Sequence, residues 1–125
     1  MGESFMKKIL IIDDEEKIRA AYRALLRKEG FEILEAKNAS QGTFKLISAE
    51  HIDLILLDIN MPEVDGVTMR EVINEYDPHS KIIVASVYPI DEQKQAIPQA
   101  DDYFDKVQGV DVLLDKVKKA LGCAT

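Results

Sequence analysis

The chain has no tryptophan and a single cysteine, Cys123, so no internal disulfide can form, and the expected compartment is the reducing cytoplasm. Cys123 stands near the end of the sequence and reads as an idle thiol rather than a nucleophile. No apolar run approaches the roughly 18 residues of a membrane span. The opening Met1-Gly2-Glu3-Ser4-Phe5 has no apolar stretch of the kind a secretory signal requires, and Met6 occupies the position where myristoylation wants Ser or Thr. Positive charge is also in short supply. Against 23 Asp and Glu there are 16 Lys and Arg, a formal net charge of −7, which argues against direct binding of nucleic acid or an anionic membrane surface. Internal repeats, low-complexity tracts and linkers are absent.

What remains is one soluble globular domain of 125 residues, 46% apolar and 31% charged. We divide it into a leader over residues 1–6, a folded unit over 7–122 and a short tail over 123–125. The central stretch runs Leu54-Ile55-Leu56-Leu57-Asp58, four apolar residues with no polar alternation, the pattern of a strand covered on both faces in a parallel sheet. Lys8 to Ile12, Phe31 to Ala36, Lys81 to Ala85 and a brief Asp102 to Phe104 give four more strands. Helical spacing lies between them. Ile18, Tyr22, Leu25 and Leu26 precede a stop at Gly30, and a helix capped by Asn38 or Ser40 reaches about Glu50 despite Gly42. Met69, Val72, Ile73 and Tyr76 share one face of a third helix. A short polar helix from about Asp91 to Ile97 is cut by Pro98, and Val110, Leu113, Leu114, Val117 and Leu121 form an apolar stripe ending at Gly122. Strands alternating with helices predict a doubly wound α/β domain with right-handed crossovers.

In such sheets ligands bind beyond the carboxyl ends of the strands. Projecting the strand ends brings together Asp13 and Asp14, Asp58, Ser86 and Lys106. Each alone has a plain reading, a turn former, a helix cap or a solvated lysine; the conjunction is harder to dismiss. Three neighbouring carboxylates repel one another unless a cation sits among them, and Mg²⁺ suits oxygen ligands while leaving positions for water and phosphate. An ionised Asp58 then becomes a candidate nucleophile toward phosphorus, with the Lys106 ammonium and Ser86 hydroxyl facing the transferred group.

Asp13-Asp14, the run Asp58-Ile59-Asn60-Met61-Pro62-Glu63-Val64-Asp65-Gly66, Ser86, and Asp102-Tyr103-Phe104-Asp105-Lys106 resemble the receiver domain of two-component response regulators, over nearly the whole length from Lys7 to Leu121. The resemblance implies a flavodoxin-like (βα)5 fold with a five-stranded parallel sheet of order 2-1-3-4-5. It further implies Asp58 as phosphoacceptor, Asp14 as a direct Mg²⁺ ligand, Asp13 acting through metal-bound water, and a backbone carbonyl from Asn60 on the metal. Lys106 and Ser86 would contact the phosphoryl group, and Tyr103 would swing inward when Ser86 moves. The implied partners are a sensor histidine kinase or histidine phosphotransfer protein, with a homodimer formed through the fourth helix, fifth strand and fifth helix.

Departures from the family pattern are local. Val107 follows Lys106 where the family usually has proline after a cis bond, and a cis bond before valine costs about 3 kcal/mol. Pro98-Gln99-Ala100 stands where Ala-Gly-Ala is common, losing a glycine able to take positive φ, so a reshaped loop is expected. Tyr88-Pro89 beside Ser86 is bulky enough to slow the access of water. His51 and His79 read as surface loop residues, and Lys116, Lys118 and Lys119 as a solvated face complementing the helix dipole. Two rival readings use the same fold. A magnesium phosphatase of the haloacid dehalogenase kind would want Asp where Asn60 stands, and a pseudo-receiver would bind ligands without phosphorylation, although no Gly-x-Gly-x-x-Gly loop follows the first strand.

Overall fold

A computed structural model describes residues 6–49, 51–59 and 66–123. The elements alternate as β1 (Lys8–Ile12), α1 (Glu16–Lys28), β2 (Glu32–Ala36), α2 (Ala39–Ser48), β3 (Leu54–Asp58), α3 (Gly66–Tyr76), β4 (Lys81–Ser86), α4 (Ile90–Ala96), β5 (Asp102–Asp105) and α5 (Val110–Ala120). The strands form one parallel sheet in the order β2-β1-β3-β4-β5. β3 lies between β1 and β4 and all five of its residues are buried, which explains why its sequence carries no alternation. Each fully buried Leu or Ile contributes about 1.5–3 kcal/mol relative to exposure.

Alternation along the strands sorts the core into two layers. Ile9, Ile11, Leu54, Leu56, Ile83 and Phe104 pack with Tyr22 and Leu26 of α1 and Leu113 and Val117 of α5. Leu10, Ile12, Ile55, Leu57, Val84 and Tyr103 face the other way, toward Leu46 of α2, Ile73 of α3 and Ile97 just past α4. Helix ends follow local chemistry. Asn38 caps α2 by accepting from Gln41 N at 2.8 Å. Gly30 and Gly122 close α1 and α5 at φ of +94° and +70°, conformations that an L side chain rarely adopts.

The amino end of the sheet is held by three loop aspartates. Asp53, Asp77 and Asp101 each accept from a backbone N–H at or beside a strand start, those of Lys8, Ile52 and Ile82, at 2.7, 2.8 and 2.7 Å. His51 joins two of them, with Nε2 3.0 Å from Asp53 and Nδ1 3.3 Å from Asp77. It is an exposed loop residue, but one tied to two carboxylates.

Two expectations need correction, and a third position shows strain. Tyr76 does not share the buried face of α3. It is 51% exposed, because the helix ends there and the ring projects beyond Ile73 into solvent. Lys116 and Lys118 are not a solvated face: they reach from α5 to Asp102 of β5 and Glu29 at the end of α1, at 3.2 and 2.9 Å, and Lys119 alone of the three is largely exposed. At the missing loop glycine, the backbone is left-handed without one. Gln99 adopts φ of +67°, the one non-glycine residue among those described with positive φ. This left-handed residue strains the backbone of the loop that delivers Asp101 to Ile82 N.

An L residue in this region costs about 1–2 kcal/mol, partly offset by the about 0.5–1 kcal/mol that glycine loses on ordering. Gln99→Gly is therefore expected to stabilise the domain by about 0.5–1 kcal/mol, read as a higher urea midpoint with unchanged slope. A lower midpoint would show that the Gln99 side chain contributes more than its strained backbone costs.

Candidate functional site

Strand register assembles the site. Ile12 is level with Leu57 across β1 and β3, so Asp13 and Asp58 are the next pair outward. Asp58 is level with Ala85, and Ser86 with Asp105, which puts Ser86 and Lys106 on the same rim. The backbone closes the gap between the last two, Lys106 N donating to Ser86 O at 2.8 Å. By strand alternation Asp13, Asp58 and Lys106 belong to the layer of α1 and α5, whereas Ser86 belongs with Tyr103 to the layer of α4.

The Lys106 ammonium lies between two acids, 2.8 Å from Asp13 Oδ2 and 3.5 Å from Asp58 Oδ2. The three side chains are only 7%, 3% and 2% exposed, so solvent screens them little. Burial by itself would lower the Lys106 pKa. The hydrogen bond to Asp13 and the charges of Asp58 and Asp13 outweigh it and hold the ammonium above the ordinary lysine range. With the folded value raised, the stabilisation is complete at neutral pH and is lost only as pH rises through that folded value. Asp14 points into solvent beside this pair. One carboxylate oxygen from each of Asp13, Asp14 and Asp58 falls within 4.8 Å of the others, and this is the one group of three potential ligands among the described residues. An all-oxygen donor set, two members buried and one open to water, fits a hard divalent cation such as Mg²⁺ that retains bound water.

The loops around the cluster are fixed by polar contacts. Asp13 Oδ1 accepts from Glu15 N at 2.9 Å, and Arg19, which carries no motif signal in the sequence, donates from Nη1 to Asp13 O at 2.7 Å. Arg19 and Arg23 also hold Glu35. Burial raises the Glu35 pKa, but the Arg23 and Arg19 contacts outweigh it and keep the carboxyl below its usual range. Ser86 is fully buried and its Oγ accepts from Tyr88 N at 3.1 Å.

Tyr103 is not an ordinary strand tyrosine with its hydroxyl in water. The ring is 7% exposed, and the hydroxyl donates to Ile97 O at 2.6 Å and accepts from Ala100 N at 3.1 Å. Val107, 80% exposed, follows Lys106 through a trans bond, and no cis peptide occurs among the described residues. Asn60 lies outside the described residues. Gln93 escaped the sequence reading. It is fully buried on α4, and the signal that could have found it is its place between Ile90 and Ile97 on the apolar face of that helix.

The family model for the response regulator receiver domain matches residues 9–118. The chain belongs to that family. The receiver is 32% identical over 119 residues to sporulation initiation phosphotransferase F of Bacillus subtilis, covering 92% of this chain and 94% of that protein. It is 35% identical over 120 residues to the chemotaxis protein CheY of the same organism, covering 91% and 97%. Among solved structures it resembles the response regulator TrrA of Thermotoga maritima, crystallised in complex with Mg²⁺ and BeF, at 36% identity and a TM-score of 0.82, with 93% of this chain and all of that one covered. The expected flavodoxin-like (βα)5 architecture is thus borne out in strand order and in its structural neighbours.

Two variants test these contacts. Lys106→Met leaves Asp13 and Asp58 buried without their cation, and breaking such a pair costs about 3–5 kcal/mol when fully desolvated, less here beside the open Asp14. Without divalent cation the variant should melt several degrees below wild type, and added Mg²⁺ should raise its Tm by more than that of wild type. An equal Mg²⁺ response in both proteins would show that Lys106 does not compete for the cluster. Tyr103→Phe removes a buried donor from Ile97 O and should cost about 1–2 kcal/mol in urea unfolding; an unchanged midpoint would mean the hydroxyl contacts are dispensable.

Proposed function

We propose that this receiver accepts a phosphoryl group on Asp58 from a sensor histidine kinase or histidine phosphotransfer protein in the cytoplasm, and that the unit doing so spans residues 7–122. The observation that supports this most directly is the Lys106 ammonium, carried just past β5, held between Asp13 and Asp58 at the carboxyl ends of the adjacent strands β1 and β3. An Asp58 carboxylate oxygen attacks phosphorus, the bond from phosphorus to the donor's imidazole nitrogen breaks, and an acyl phosphate remains on Asp58. Asp13, Asp14 and Asp58, with the Asn60 carbonyl, would hold Mg²⁺, whose positive charge would offset the charge of the transferring phosphoryl group.

Lys106 keeps its proton throughout, being held above the lysine range, and serves as a fixed cation rather than a base. The product adds about −1.5 to −2 charges beside it. Lys106 then has a stronger partner than Asp13, and the Ser86 hydroxyl can donate to the phosphoryl oxygens. Drawing Ser86 toward the acyl phosphate displaces the loop that begins at Tyr88, and Tyr103, already inside the α4 layer, keeps the loop after Ile97 in register with that shift. The receiver assists its own phosphorylation and the later hydrolysis, with no turnover of an external substrate. Tyr88 and Pro89, exposed beside Ser86, restrict the water that would hydrolyse the acyl phosphate.

The test is labelling with a small phosphodonor such as phosphoramidate plus Mg²⁺. Asp58→Asn should take up no label, whereas Lys106→Ala should be labelled yet leave the amide spectrum of α4 unmoved. Robust labelling of the Asp58→Asn protein would refute the assignment of the acceptor.

A further inference from the structure

The polar residue of α4 that faces inward is Gln93, which has no exposed surface. Its Nε2 donates to Tyr88 O at 2.8 Å and to Phe104 O at 2.9 Å. Two carbonyl acceptors on one nitrogen fix the orientation of the amide, because the flipped form would set oxygen against oxygen. Its Oε1 has no hydrogen-bond partner, and it is the one buried side-chain polar atom so placed among the described residues. A buried glutamine that satisfies other groups while leaving its own oxygen orphaned is an unusual choice, since leucine or methionine would fill the space without that penalty.

The contacts of Gln93 form part of a continuous path. Ser86 Oγ accepts from Tyr88 N, Tyr88 O accepts from Gln93 Nε2, Gln93 O accepts from Ile97 N at 2.9 Å, and Ile97 O accepts from Tyr103 Oη. A branch runs to Phe104, two residues before Lys106. Ser86 and Tyr103 share the α4 layer, and Gln93 supplies the two middle links of this path, one through its side chain and one through its backbone carbonyl.

We propose that Gln93 is the positioning residue that couples the Ser86 loop to helix α4 and Tyr103, resting on the phosphorylation reading above. When Ser86 is drawn toward the phosphoryl group it carries Tyr88 with it, and the tie from Tyr88 O to Gln93 transmits that displacement to the helix. The orphaned Oε1 makes the present arrangement incompletely satisfied. A shift that brings a donor to Oε1 therefore compensates for a strained or broken bond at Nε2, so the helix has a second position within reach.

The test is a titration of the full chain with Mg²⁺ and beryllofluoride, which forms an acyl-phosphate-like adduct, followed by amide chemical shifts in wild type and Gln93→Leu. In wild type the amides of Asp14 and Asp58 and those from Asp91 to Ala96 should saturate with one midpoint. In Gln93→Leu the Asp14 and Asp58 amides should still saturate, whereas the α4 displacement should fall about fivefold, the lower end of ordinary coupling strengths. Undiminished α4 displacement in Gln93→Leu overturns the proposal. Silence of Asp14 and Asp58 in wild type instead removes the phosphorylation reading and this inference with it, and the two failures are told apart because site and helix are read separately. A second measurement needs no variant. The Gln93 side-chain NH2 protons should be protected from exchange and shift with the same midpoint as the Ser86 amide; an unprotected or unmoved NH2 group overturns the coupling.

Discussion

Two aspartates buried at the ends of adjacent strands, with an ammonium between them, set the terms for the rest of the receiver. Asp13 and Asp58 are held level by the register of β1 and β3, and neither can retreat into water. Their repulsion is relieved by Lys106, whose chain is in turn fixed by the backbone bond from Lys106 N to Ser86 O. The β4 and β5 rims are thereby tied to the acidic pair before any ligand arrives. A change in charge at Asp58 alters the balance that Lys106 maintains, and Lys106 and Ser86 are neighbours through one hydrogen bond. In the proposed switch, local electrostatics become movement because the groups that sense the charge are anchored to loops that lead to α4.

The two-layer core divides the labour. The layer of α1 and α5 carries the carboxylates and Lys106, and its contacts reinforce one another: Arg19 clamps the Asp13 carbonyl, and Lys118 pairs with Glu29 between α5 and the end of α1. The layer of α4 carries Ser86, Tyr103 and Gln93, and is the more loosely satisfied of the two. α4 is a helix of 7 residues with no side-chain cap, followed by a strained Gln99. Short length and the positive φ that follows it lower the stability of that element relative to its neighbours, which is where a two-state segment is expected.

The strands were legible in the sequence because β3 and β4 are buried on both faces and so show unbroken apolar runs. The site residues were legible because they end those runs, where side-chain identity is set by chemistry rather than packing. The residues that position the site were not. Arg19 and Glu35 look like surface charges on an amphipathic helix and a half-buried strand, and their pairing depends on how α1 lies against β2. The bonds made by Asp53, Asp77 and Asp101 were not legible either, since the N–H groups they satisfy belong to other segments. Gln93 and Tyr76 failed in opposite directions, a polar residue buried and an aromatic exposed, because on short helices or at helix ends periodicity no longer decides which way a side chain points.

The central claim is that Asp58 carries the phosphoryl group, and its most direct test is chemical mapping. The receiver is phosphorylated with a small donor and Mg²⁺, reduced with borohydride, which converts an aspartyl acyl phosphate to homoserine, and digested for mass spectrometry. Homoserine at position 58, dependent on donor and Mg²⁺, is the predicted result. Homoserine at position 13 or 14 with Asp58 unmodified would contradict the account.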